Sequence, residues 1–238
     1  MKKISTLALA FLFGGMLAAC GNAAEENRTE QKTESIPDTS GSETEQTDKT
    51  DQTALVAYFA YSENMGDTSG MDVDAISSAS LNRDTDNTEG NLQVMAQIIE
   101  EDTNADMFHI LVEKPYQNDY KTMLPEAVRQ LQNKDWPALK EKVENLSEYN
   151  VIYLGMPVWD SEIPPALHTF LSENDLSGKT IVPFGIHLGS GFGGMLNEIE
   201  ELAPDATLAE GFTINAATAN DEVKTEFRAW LEEQDGGV

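Results

Sequence analysis

The chain has 238 residues with 42 acidic against 15 basic side chains, a formal net charge of −27, one cysteine and three histidines. A surface this acidic repels nucleic acid and anionic headgroups at close range, which removes both as partners, and a single cysteine excludes an intramolecular disulfide. The scattered histidines and cysteine offer no metal-ligand spacing.

Residues 1–19, MKKISTLALAFLFGGMLAA, place two lysines before an apolar run, the pattern of an export signal that takes no part in the fold. The run is too short and too abruptly ended for a permanent transmembrane helix. Cys20 follows Leu17-Ala18-Ala19 and precedes Gly21. This resembles the lipobox of bacterial lipoproteins, and the resemblance implies a lipidated Cys20 and a chain anchored to a membrane outside the cytoplasm. Residues 20–52 are rich in Glu, Thr, Asp, Gln and Ser, with one isoleucine and no aromatic residue. They cannot bury enough apolar surface to offset chain entropy and read as a disordered acidic tether. With two lysines in the leader and nine acidic against three basic residues in the tether, residues 53–238 carry −23 and have the length of one domain. That charge suits a solvated carrier or a protein that meets basic partners, and equally serves plain solubility.

From residue 53 onward, short apolar runs alternate with helical periodicity. ALVAYFAY at 54–61 is a continuous apolar run of strand length, as expected where a sheet is covered on both faces. Leu92, Met95, Ile98 and Ile99 mark a helix over 91–102, and MFHILVE at 107–113 reads as the second strand. A short helix over 125–132 carries Pro125 in its first turn and turns Leu124, Val128 and Leu131 inward. VIYLGMP at 151–157 is the third strand, followed by a helix with Ile163, Leu167, Phe170 and Leu171 on one face. The fourth strand, IVPFGIHL at 181–188, contains Pro183, which removes a ladder hydrogen bond. Met195, Ile199 and Leu202 mark the next helix, EGFTIN at 210–215 the fifth strand, and Val223, Phe227, Trp230 and Leu231 the terminal helix.

This alternation predicts an α/β fold, a doubly wound five-stranded parallel sheet with helices on both faces. Ligands of such sheets bind outside the carboxyl ends of the strands where strand order reverses, so the segments that matter are 62–91, 156–162 and 187–194. In the last, Gly189, Gly191 and Gly194 satisfy G-x-G-x-x-G, which lets backbone N–H groups approach a phosphate. A nicotinamide site is disfavoured, because the motif follows the fourth strand and no acidic residue closes the next one. The same glycines let a planar ring lie against the backbone. Ser190 sits between strand and helix as a hydrolase nucleophile does, but Leu188 stands where a G-x-S-x-G elbow needs glycine. Trp159, exposed by the bend after the third strand, is placed either to cover one face of a flat ligand or to plug the end of the sheet.

Four stretches, ALVAYFAYS, GNLQVMAQIIEEDTNADMFHI, ENLSEYNVIYLGMPVWDSEIPPALHTFL and LSGKTIVPFGIHLGSGFG, together resemble the flavodoxin-like family in order along 53–234. The similar branch has a G-[YF]-P-x-W-W loop after strand three and a T-H-G-G-S-G loop after strand four. The resemblance implies sheet order 2-1-3-4-5 and an FMN site formed by the loops after strands one, three and four. On it, Pro157, Val158 and Trp159 match the loop flanking the isoalloxazine ring, with Asp160 in place of a second tryptophan. His187, Gly189, Ser190 and Gly191 match the second ring-contacting loop. Ser62 and Asn91 match the ends of a Ser/Thr-x-Thr-Gly-Asn-Thr phosphate cradle, here split by a long polar insertion, with Leu92 where a hydroxyl donor is expected and Leu188 in place of a glycine. Asp160 would set a carboxylate near a ring that becomes anionic on reduction, lowering its reduction potential.

The function implied is FMN binding and electron transfer by a membrane-anchored, extracytoplasmic protein with no catalytic side chain of its own. It exchanges electrons with redox partner proteins or small electron acceptors and touches the membrane through its lipid anchor only. Two other readings keep the fold: a cofactor-free binding module, and an FMN-dependent NAD(P)H:quinone-type reductase.

Overall fold

The computed structural model describes residues 53–66, 90–159, 161–215 and 221–235, all within a unit spanning Asp48–Val238. The predicted leader, Cys20, the tether, Asp160 and most of the insertion lie outside the described residues.

Side chains alternate across each strand, and this sorts the core into two layers. Strand β1 (Ala54–Tyr58) and the residue after it send Leu55, Ala57 and Phe59 to one face and Val56 and Tyr58 to the other. Strand β3 (Val151–Pro157) does likewise with Ile152, Leu154 and Met156 against Val151 and Tyr153. The first face is covered by helices α3 (Tyr120–Asn133), α4 (Pro165–Glu173) and α5 (Met195–Leu202), through Met123, Leu167, Phe170 and Ile199. The second is covered by α2 (Asn91–Thr103) and α6 (Asp221–Asp235), through Leu92, Met95, Ile99, Phe227 and Leu231. A large apolar side chain buried this way stabilises by about 1.5–3 kcal/mol, so both helix layers are held without a covalent staple.

The strands are parallel and ordered β2-β1-β3-β4-β5, with β2 at Asp106–His109, β4 at Thr180–His187 and β5 at Thr207–Leu208. This is the predicted 2-1-3-4-5 order, doubly wound with helices on both faces. Among the described residues no helix is long and apolar enough to cross a membrane.

Beyond β5, which the sequence reading lacks, three elements differ from it. Strand β1 stops at Tyr58 and the chain turns into a one-turn helix, α1 (Tyr61–Asn64). Strand β2 ends at His109 because the buried side chain of Asn64 captures the segment beyond. Its amide donates to the carbonyls of Ala60 (2.9 Å) and Ile110 (3.0 Å), and its oxygen accepts from the Val112 N–H (2.8 Å). Helix α3 begins five residues before Pro125 rather than at it, because Asp119 caps it, accepting from the Lys121 N–H at 3.2 Å. Pro125 therefore sits inside the helix.

The fifth sheet position is shared by two short strands. Strand β5 pairs with Thr180 and Ile181, and β6 (Phe212–Asn215) pairs with residues 184–187. The interruption faces Pro183. Ile181 accepts from the Ala209 N–H at 2.9 Å, so Pro183, two residues on, points to the same neighbour and has no N–H to give it. Gly211 fills the gap: a Cβ there would lie 2.6 Å from the Pro183 carbonyl oxygen.

Candidate functional site

The loops after β1, β3 and β4 meet at the carboxyl end of the sheet. Register brings them there: Tyr58 is opposite Gly155 and Pro157 opposite Ile186, and Val158 donates to the Ile186 carbonyl at 2.9 Å. Ser62, Asn91, Pro157, Val158, His187 and the glycines that follow are thereby gathered at one rim by the elements that carry them.

In the first loop, the Ser62 hydroxyl is buried and has no hydrogen-bond partner among the described residues. An unpaired buried hydroxyl costs stability, and such a group is a ready donor for an incoming acceptor. Across the split lies the N-terminus of α2. Gly90 is its N-cap and provides no side-chain cap, so the positive end of the helix dipole is not met by an oxygen of the capping residue. Asn91 is buried at the first helical position, and Leu92 turns into the α2–α6 core layer. Leu92 therefore leaves the cradle rather than obstructing it.

The bend after β3 corrects the expectation that it exposes Trp159. The indole is 3% exposed and meets Phe59, Tyr61 and Tyr116 edge-on, at centroid distances of 5.3, 6.0 and 5.4 Å. Burying the large ring among aromatic edges outweighs presenting it to water. A tight hairpin makes this possible: Trp159 and Glu162 exchange backbone hydrogen bonds of 3.3 and 3.0 Å around Ser161, whose φ is +68°. Trp159 plugs the end of the sheet and presents no stacking face.

After β4, His187 Nδ1 accepts from the Gly189 N–H at 2.8 Å, so the imidazole shapes its own loop. Burial holds its pKa below the usual histidine value. Gly189 (φ +126°) and Gly191 (φ +58°) adopt left-handed conformations with open space where a Cβ would be. Leu188, between them and the strand, is 65% exposed. The Ser190 hydroxyl donates to the Gly191 carbonyl at 3.2 Å, while His187 Nδ1 is engaged with Gly189.

A family model described as flavodoxin matches residues 86–234. The chain belongs to the flavodoxin family. Among solved structures, this flavodoxin-family chain is similar to one described as a flavoprotein from Bacteroides eggerthii, at 24% identity and TM-score 0.54, over 76% of this chain and 96% of the other. A flavoprotein from Bacteroides uniformis aligns at 23% identity and TM-score 0.55, over 76% and 98%. A flavoprotein in complex with FMN from Lactobacillus acidophilus aligns at 18% identity and TM-score 0.52, over 73% and 97%. At these identities the likeness speaks for the fold. Comparison with curated proteins gave no match.

One part of this flavodoxin-family rim escapes sequence reasoning. Glu63 Oε1 accepts from the Tyr58 hydroxyl at 3.1 Å and lies 2.9 Å from His109 Nδ1, which is itself 3.0 Å from the Tyr58 hydroxyl. Glu63 Oε2 is buried without a partner among the described residues. Burial, then the Glu63 carboxylate, push the Tyr58 phenol well above its usual pKa, so it remains a donor. His109 is 46 residues from Glu63 in the chain, and only the β1–β2 pairing makes them neighbours. The sequence signal was slight: a carboxylate directly after Ser62, where a phosphate cradle needs donors.

Proposed function

We propose that this chain binds FMN at the rim formed by the loops after β1, β3 and β4 and carries electrons to and from a partner. The observation that carries the reading is the buried Ser62 hydroxyl, which has no hydrogen-bond partner among the described residues and lies in the segment that precedes α2 in the chain. A hydroxyl donor and the positive end of a helix dipole suit a phosphate, which supplies acceptor oxygens and negative charge. Family membership and the resolved FMN complex of the Lactobacillus acidophilus relative support the same assignment.

The residues fit the group in two of three places. Ser62 and the start of α2 at Asn91 would hold the phosphate. The His187–Gly191 backbone, open at Gly189 and Gly191, would receive the ring edge, with Pro157 and Val158 on the opposite wall. The third place, indole stacking, is not available from Trp159; exposed Leu188 is the apolar side chain at the mouth that would cover a ring face. FMN, when bound, supplies one- and two-electron redox chemistry. The chain's own contribution is to bind it, orient its edge and keep water from part of its surface. In this reading Asp160 beside the ring would lower its potential, and lipidated Cys20 with the 20–52 tether would hold the domain at a membrane outside the cytoplasm, where it meets redox partner proteins or small acceptors.

Titration of FMN with the full chain purified in detergent tests the assignment. Saturable quenching of flavin fluorescence is expected; none at tens of micromolar protein rejects it. Burial of Trp159 favours a second reading, a cofactor-free binding module on the same fold, which predicts that negative result. If FMN binds, steady-state NAD(P)H consumption with a quinone present separates a reductase from a carrier.

A further inference from the structure

Next to this rim, and sharing Glu162 of the bend after β3 with it, α3, α4 and α5 border an open pocket of about 530 Å³, within the size range of small-molecule sites. None of the residues assigned to FMN lines it. Val128 and Leu131 of α3, Leu202 of α5 and the Trp136 indole give it apolar walls. Trp136 is stacked on His168 of α4 with centroids 3.9 Å apart and planes 2° apart, which fixes the aromatic wall. Three carboxylates, Glu162, Glu198 and Glu201, face it with one cation, Lys134.

We propose that this cavity binds a small organic monocation with an apolar body, an aryl- or alkylamine in chemical class. Charge selects the sign of the ligand: three carboxylates against one lysine disfavour an anion and leave a neutral molecule without compensation for them. Shape selects its body, since the walls are aliphatic and aromatic. A bare metal ion is not matched, because no group of three His, Cys, Asp or Glu side chains among the described residues is placed to hold one.

Two features make Glu198 the anchor. Its carboxylate accepts from the Ile163 N–H, which fixes its position, and burial raises its pKa, an unfavourable desolvation that a cation alongside would relieve. Opposite, at 3.7 Å, is His168 Nε2, buried and without a hydrogen-bond partner among the described residues. Burial and Lys134 push the His168 pKa down to about 4, so the imidazole is neutral at pH 7 and does not neutralise the carboxylates. An ammonium N–H directed at this pair meets the Glu198 carboxylate with an uncharged ring beside it.

Calorimetric titration of the full chain at pH 7 and low salt, with phenethylamine as probe, tests this. The neutral isostere 2-phenylethanol and the anion phenylacetate serve as comparisons. The amine is expected to bind at least about tenfold more tightly than the alcohol, phenylacetate to give no saturable heat, and Glu198→Gln to reduce the amine to the level of the alcohol. The indole N–H signal that is lost in Trp136→Phe is expected to shift with the amine. The proposal is overturned if the amine gives no saturable heat, if the alcohol equals it, if Glu198→Gln leaves it unchanged, or if only the Trp159 or Trp230 signals move. Should Glu198→Gln fail to fold, the three ligands on the unaltered chain decide alone.

Discussion

At the scale of single residues, two neighbours in the first loop pull in opposite directions on a phosphate. The Ser62 hydroxyl offers a donor with no partner among the described residues, so Ser62→Ala is expected to weaken FMN by about 1 kcal/mol, roughly fivefold, and to leave riboflavin unaffected. It should not lower the melting temperature of the free chain, since it removes a buried group that is unsatisfied there. Glu63, in the same loop, holds a buried carboxylate oxygen without a partner among the described residues. Glu63→Gln keeps its shape and removes the charge, and is expected to tighten FMN about threefold at low salt, less at high salt, again without effect on riboflavin. Paired FMN and riboflavin titrations read both. Ser62 came from the family resemblance, as one end of the phosphate-cradle motif, and the structure adds that its hydroxyl is buried. Glu63 with His109 was not legible in the sequence, because strand pairing rather than spacing creates the contact. Trp159 was legible as a residue of the bend only. Its side chain's direction is decided by Phe59, Tyr61 and Tyr116, which come from two distant segments.

At the scale of elements, alternation and helical periodicity revealed the strands and helices, while their ends were set by side-chain captures that periodicity does not encode. Asn64 ends β2 and Asp119 starts α3, each through hydrogen bonds to backbone. Close approach between β1, β3 and β4 depends on Gly155, where a Cβ would lie 2.3 Å from the Phe184 ring and 2.6 Å from Tyr58 Cβ. Gly155→Ala is expected to destabilise by about 2–3 kcal/mol in urea unfolding. Between α4 and the segment after α3, the Trp136–His168 stack carries a pH signature. A histidine whose pKa is depressed from 6.5 to about 4 in the folded chain binds its proton more readily when unfolded. Its contribution to stability is therefore whole above pH 6.5 and is lost as pH falls toward 4. Thermal unfolding at pH 7 and pH 4.5 should show a smaller acid loss in His168→Gln than in the unaltered chain, by about 2 kcal/mol.

At the scale of the molecule, alternation pointed to the doubly wound parallel sheet because a chain alternating strand and helix has few ways to cover both faces, whereas the strand order came from the family resemblance. Residues 53–238 carry −23 of the −27, which bears on association rather than on fold. If this domain exchanges electrons with basic partners, the second-order rate with a cationic acceptor such as a ruthenium hexaammine complex should fall steeply with added salt, while an anionic acceptor such as ferricyanide should speed up. Stopped-flow mixing at two ionic strengths checks the sign of both slopes.

The proline in β4 reaches further than the ladder bond it removes. By splitting the outermost sheet position into a two-residue and a four-residue piece, it denies a passing copy of the chain any long, straight run of open amide and carbonyl groups to dock on. The α/β domain gains, from one imino acid and the glycine opposite, a built-in guard against edge-to-edge polymerisation.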